Sequence, residues 1–147
     1  MNKVIIQGNK IKVFEAFKDN DQINILMILL IVKYSTSGKT LSVPLKKISF
    51  ILDAVKKNNK VNKLSVLLSS PWEINDSLRK NIILAHEKGL LFLKDSGGSL
   101  GVGIDGQGTK VTTEIESLGL IPEIRKDIAE WCKAVSVAEL KKQNLIW

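Results

Sequence analysis

A few places in the chain carry residue types that can do chemistry. Ser37-Gly38-Lys39-Thr40 has the ending of a G-x-x-x-x-G-K-[ST] loop, in which backbone amides and the lysine cradle phosphates. The first glycine of that pattern falls on Lys33, the preceding segment reads as a helix end where a strand is required, and Pro44 interrupts the phosphate-facing helix. Gly101-x-Gly103-x-x-Gly106 matches the dinucleotide fingerprint letter for letter, yet that fingerprint works only inside a βαβ unit, and the downstream chain reads as helical. His86-Glu87 suggests general acid/base work. His86 is the only histidine, so no second one completes a metal site, and no nucleophile stands beside it. Next to Ile82 and Ile83 it reads as a partly buried structural histidine. Cys132 falls on an apolar stripe with Trp131 and Ile128, where it acts as a small hydrophobe. Glu114 and Glu116 are two apart on a helix and point to different faces. These residues favour a non-enzymatic protein without a cofactor, a metal or a small-molecule substrate.

The elements that hold these residues follow from composition and patterning. The 147 residues, 44% hydrophobic and 25% charged, suit one globular domain. One cysteine cannot form an internal disulfide, so a cytoplasmic setting is expected. Met1 to Lys10 has neither an extended apolar core nor a cleavage site, which argues against a secretory signal. The longest apolar run, Ile23 to Val32, is too short for a bilayer span, which needs about 20 residues.

That run reads as a buried central helix capped by Asn20 or Asp21. Before it, Lys3 to Gln7 and Lys10 to Phe17 alternate around Gly8-Asn9, the pattern of an N-terminal β-hairpin. Ser35 to Pro44 is a polar connection. Leu45, Ile48, Leu52 and Val55 then recur at helical spacing, with Lys46, Lys47, Asp53, Lys56 and Lys57 on the wet side. Val61 to Leu68 fits a strand or a further helical turn. A third helix runs from Asn75-Asp76 to Gly89, with Leu78, Ile82 and Ala85 facing inward. Leu90 to Lys94 and Ser99 to Ile104 form a hairpin whose Gly101 and Gly103 leave one bare face. A helix through Val111, Ile115 and Leu118 closes at Gly119, and Pro122 opens another carrying Ile124, Ile128, Trp131, Cys132 and Val135. Ser136 with Glu139 makes a capping box for a last short helix. Three helices followed by a hairpin give an expected fold that is α+β, mainly helical. It comprises a winged helix-turn-helix-like core (21–108), an N-terminal hairpin (1–20) and a C-terminal helical tail (109–147).

The charge is unevenly placed. Lys33, Lys39, Lys46, Lys47, Lys56, Lys57, Lys60 and Lys63 face one acid, Asp53, and this stretch holds the entire net charge of +7. Such a segment suits phosphates or an acidic partner, and all of these lysines except Lys33 are candidate contacts. Lysine is a solvated point charge, so contact with DNA here is non-specific. The third helix is nearly neutral, and the hairpin loop Asp95 to Ser99 has no basic residue, whereas a DNA reader places positive charge at both. The reading shifts toward a protein adaptor, with a winged-helix DNA-binding transcriptional regulator as the alternative. Leu100, Val102, Ile104 and Trp147 are the candidate protein-contact residues.

The order of several segments resembles a known family. An apolar helix (Asn24 to Lys33) precedes a Leu-rich amphipathic helix (Leu45 to Lys57). Then come Pro71-Trp72 ahead of Asp76 and Leu78, and His86-Glu87-Lys88-Gly89-Leu90 leading into a hairpin. Gly108-Thr109, Trp131-Cys132 and Ser136-Val137-x-x-Leu140 complete the pattern. This is similar to the small middle components of ATP-binding-cassette three-component conflict systems of the Lamassu type. The resemblance implies an accessory subunit in anti-phage or anti-plasmid defence, bridging a coiled-coil ATPase of the structural-maintenance-of-chromosomes kind and an effector protein, with no membrane involved.

Overall fold

A computed structural model of the chain describes residues 21–36, 42–64, 76–96 and 99–135. Among them are five α-helices and three short strands: α1 (Asp21–Ser35), β1 (Val43–Pro44), α2 (Leu45–Lys56), α3 (Asp76–Glu87), β2 (Leu91–Ser96), β3 (Ser99–Ile104), α4 (Gly106–Ser117) and α5 (Pro122–Ala134). The architecture is mainly helical α+β. The expected N-terminal hairpin, the Ser136/Glu139 capping box, Lys39 and Trp147 lie outside the described residues.

The centre of the molecule is α1, because its apolar residues point in every direction. Every residue from Met27 to Val32 is fully buried, and α2, α3, α4, α5 and β3 all pack on this helix. A helix that is apolar all round has no wet face and must be surrounded. Asn24 is carried into the interior with it.

Helix α2 starts directly after Pro44, whose extended backbone (φ −59°, ψ 142°) blocks the helix from beginning earlier. It is buried on more than the expected stripe. Besides Ile48, Leu52 and Val55, the residues Lys47, Ser49, Phe50, Ile51 and Ala54 are buried. The extra face packs on α5, where Phe50 meets Trp131 edge-to-face with ring centroids 6.0 Å apart. The helix ends at Asn58 (φ 60°), where the Asn59 amide donates to the Ala54 carbonyl at 2.9 Å. Val61–Lys63 forms a single 3-10 turn, and the rest of the segment left open between strand and helical turn, residues 65–68, lies outside the described residues.

Two glycines stop helices as their positions predict. Gly89 (φ 75°) ends α3 and Gly119 (φ 66°) ends α4, each in the left-handed conformation that costs glycine nothing. Leu90 and Leu120 then donate back to Ala85 and Ile115, at 2.9 and 3.0 Å. Leu78, Ile82 and Ala85 are buried on α3 as expected. Leu118 is not; it lies beyond the end of α4 and is 68% exposed.

The sheet is antiparallel with order β1-β3-β2. β2 and β3 pair from Leu91↔Ile104 to Ser96↔Ser99, and β1 adds Val43↔Val102 and Pro44↔Gly101 on the other edge of β3. β1 lies inside the connection expected to be irregular. Two residues give no alternation to detect, and this strand exists only through its pairing. The two glycines of β3 are not bare. A Cβ on Gly103 would stand 2.0 Å from Cζ of Phe92, and one on Gly101 would stand 2.9 Å from Oγ of Ser42. The chain's own side chains cover that face.

Candidate interaction surfaces

The lysine-rich segment does not form one free basic face. Lys33 Nζ lies 2.7 Å from Glu116 Oε1, Lys57 pairs with Asp53 at 3.2 Å and Lys60 with Asp127 at 3.4 Å. Lys46 and Lys56 are half-buried and engaged. Lys47, expected on the wet side of its helix, is buried. Its position two residues after Leu45 turns it toward α5, and Nζ donates to the Cys132 carbonyl at 3.4 Å. Lys63 falls in the 3-10 turn, and its side chain lies outside the described residues, as does all of Lys39.

The hairpin residues divide. Leu100 is 38% exposed, whereas Val102 is fully buried and Ile104 is half-buried against the core. Val102 is thus a core residue, and Ile104 packs half-buried against the core, because the same sheet face that carries Leu100 turns inward further along. Leu93, paired with Val102 across the hairpin, remains 37% exposed. One face of the hairpin therefore carries an exposed apolar pair, Leu93 and Leu100, set diagonally across the two strands.

Helix α3 presents Ile83 to solvent at 54% exposure. Its two basic side chains are held by acids: Arg79 by Asp76 at 3.5 Å, and Lys80 by Asp21 of α1 at 3.3 Å. His86, expected to be partly buried, is exposed near the C-terminal end of the helix. The inward stripe of α3 runs through Leu78, Asn81, Ile82 and Ala85, and His86 falls at its edge in the last turn, where the side chain reaches solvent. Lys88 and Lys94 are exposed without an ion-pair partner among the described residues, a feature that residue counting over the segment 33–63 does not reveal.

Two polar nodes tie the helices together. At the first, the Tyr34 hydroxyl donates to Glu116 Oε2 at 2.7 Å while Lys33 takes the other oxygen. The hydrogen bonds from Lys33 and then Tyr34 hold the Glu116 carboxyl below its ordinary range. Burial, together with the hydrogen bond to Glu116, pushes the Tyr34 phenol up to about 12. At the second, Ser35 Oγ donates to Cys132 Sγ at 3.1 Å, and the thiol donates to the Ile31 carbonyl at 3.6 Å. Burial raises the Cys132 thiol and lowers the Lys47 ammonium relative to their usual values. A raised thiol of this kind is a poor nucleophile.

Gly101 and Gly103 of the fingerprint-like run lie within an antiparallel strand, and Gly106 opens α4 behind Asp105, whose side chain accepts from the Gly106 amide at 3.2 Å. Among the described residues no cluster of three or more histidines, cysteines or acids is placed to hold a metal ion. No described helix is long and apolar enough to cross a membrane. No protein-family model, curated protein or solved structure matches the chain.

Proposed function

We propose that the chain is a non-enzymatic docking subunit built on a winged-helix-like core, using α3 and the hairpin to bind another protein. The element order helix, strand, helix, helix, strand, strand, with β3 between β1 and β2, supports the winged-helix reading. The observation that carries the docking reading is Ile83. It stands exposed on the face of α3 that a DNA reader would put into a groove, with Arg79 and Lys80 already held by Asp76 and Asp21. Leu93 and Leu100 add apolar area on the hairpin. An exposed apolar side chain among neutralised charges suits a protein contact better than a phosphate backbone.

The resemblance to the middle components of conflict systems supplies the partner class. In this reading a cytoplasmic complex holds the subunit between a coiled-coil ATPase of the structural-maintenance-of-chromosomes kind and an effector, in defence against phage or plasmids. Ile83→Asp and Leu100→Asp, separately, are expected to abolish co-purification with a coiled-coil ATPase of that kind while the chain stays folded. Unchanged co-purification in both variants rejects the reading.

The alternative is a DNA-binding regulator. It is favoured by Lys88 and Lys94, exposed and unpaired among the described residues after α3 and on β2. Fluorescence titration of a duplex at two salt concentrations separates the two. Tight binding with a sequence preference belongs to the regulator, and weak, sequence-blind, steeply salt-dependent binding belongs to the docking subunit.

A further inference from the structure

Among the described residues, two buried amide oxygens meet no hydrogen-bond donor. Asn24 on α1 is 2% exposed and Asn81 on α3 is 1% exposed, and Oδ1 of each is buried without a partner. Each lies close along its helix to a residue that bridges α1 and α3. Helices α1 and α3 pack together, and Lys80 Nζ of α3 lies 3.3 Å from Asp21 Oδ2 of α1. Asn24 stands one turn along α1 from Asp21, and Asn81 follows Lys80 directly.

A buried carbonyl oxygen without a donor has given up its hydrogen bonds to water and gained nothing in return. Closing α3 onto α1 imposes that cost twice. The apolar side chains that oppose it on α3 are Leu78, Ile82 and Ala85, with Leu84 half-buried beside them. Along the rest of its length α1 is held by α2, α4, α5 and β3, with no such orphan acceptor at those contacts among the described residues. The Asp21–Lys80 pair at the seam is solvated and adds little. Opening the seam returns both amides to water, and no other described helix contact offers that return.

We propose that the α1–α3 seam is a built-in opening, from which α3 detaches as a unit while the core of α1, α2 and α5 stays folded. Since α3 is the helix proposed for docking above, its release would remodel that surface. This consequence rests on the proposed function, whereas the opening itself does not.

Hydrogen exchange on the intact, unliganded chain tests the opening. Amides in the last two turns of α3 are expected to be protected about tenfold less than those of Leu29 to Val32 in α1, as a sub-global opening requires. Asn24→Leu and Asn81→Leu, which replace each orphan amide by an apolar group of similar size, each raise the protection of α3 severalfold and narrow that gap. Equal protection of α1 and α3 in the native sequence overturns the proposal. So do leucine variants that leave α3 unchanged or less protected. A variant that fails to fold shows that the amide is required where it lies, and also overturns it. The measurement needs no partner, so a failed docking experiment leaves it standing, and its own failure leaves docking untouched.

Discussion

The Nζ of Lys47 reaches the carbonyl oxygen of Cys132 at 3.4 Å, so a buried lysine from the first turn of α2 closes the C-terminal end of α5. A cation at the carbonyl end of a helix meets both the unpaired acceptors and the negative end of the dipole.

The same burial makes Lys47 pH-sensitive. Desolvation lowers its pKa below the ordinary lysine value of 10.5, so the folded state binds fewer protons than the unfolded chain across the interval between the lowered value and 10.5. Stability therefore rises with pH through that interval, and below it the charged lysine opposes folding. Lys47→Met removes this cost together with the bond to Cys132. Thermal melts between pH 7 and 10 are expected to show a flatter pH profile for the variant, with stability at pH 7 within about 1.5 kcal/mol of the parent.

Tyr34 has the opposite sign. Its phenol is pushed up to about 12 from 10.0, so its contribution is complete below pH 10 and fades as pH rises through 12. Tyr34→Phe is expected to cost about 0.5–1.5 kcal/mol at pH 7, the loss of one hydrogen bond to Glu116. Chemical denaturation at pH 7 and pH 11 checks this, because the difference between parent and variant must shrink at the higher pH.

Glu116 sets the acid side. The bonds from Lys33 and Tyr34 depress its pKa, so its contribution is present above about 4.5 and is lost as pH falls through the depressed value. Glu116→Gln should weaken the protein at pH 7 and remove part of its acid sensitivity, measured as the midpoint of acid unfolding.

Glycines 106 and 108, two residues apart in α4, are expected to respond in opposite directions. A Cβ on Gly108 would stand 2.3 Å from the Leu90 carbonyl oxygen and 2.8 Å from Ile104 Cγ1, whereas one on Gly106 meets nothing within 4 Å. Gly108→Ala should cost about 1–3 kcal/mol by overpacking. Gly106→Ala should stabilise by up to about 1 kcal/mol through helix propensity. Urea midpoints of the two variants settle the comparison, and a stabilising Gly108→Ala would contradict the close approach of α4 to the end of α3.

How far the sequence discloses this molecule differs from residue to residue. The apolar run of α1, the stripe of α5 and the stops at Gly89 and Gly119 are local signals, and each is legible because one residue type suffices to produce the feature. Lys47 and Val102 are different. A lysine beside Lys46 reads as wet until α5 is known to pack there, and Val102 reads as a contact residue until the sheet face is known to turn inward. β1 is two residues long and owes its existence to β3. Of the surface proposed for docking, Leu100 is legible from the hairpin pattern. Ile83 is not, because an isoleucine beside Ile82 on a helix gives no hint that only one of the pair faces the core. The neutralisation of Lys33 by Glu116 and of Lys60 by Asp127 joins residues 83 and 67 positions apart, which no count along the chain foresees.

The most direct test is co-purification of the intact chain with a coiled-coil ATPase of the proposed structural-maintenance-of-chromosomes kind, with the native sequence and Ile83→Asp compared side by side. Retention by the native chain and loss in the variant, with an unchanged circular-dichroism melt, is the outcome expected of a docking subunit. Sequence-preferring, tight binding of duplex DNA by a chain that does not co-purify with the ATPase would contradict it.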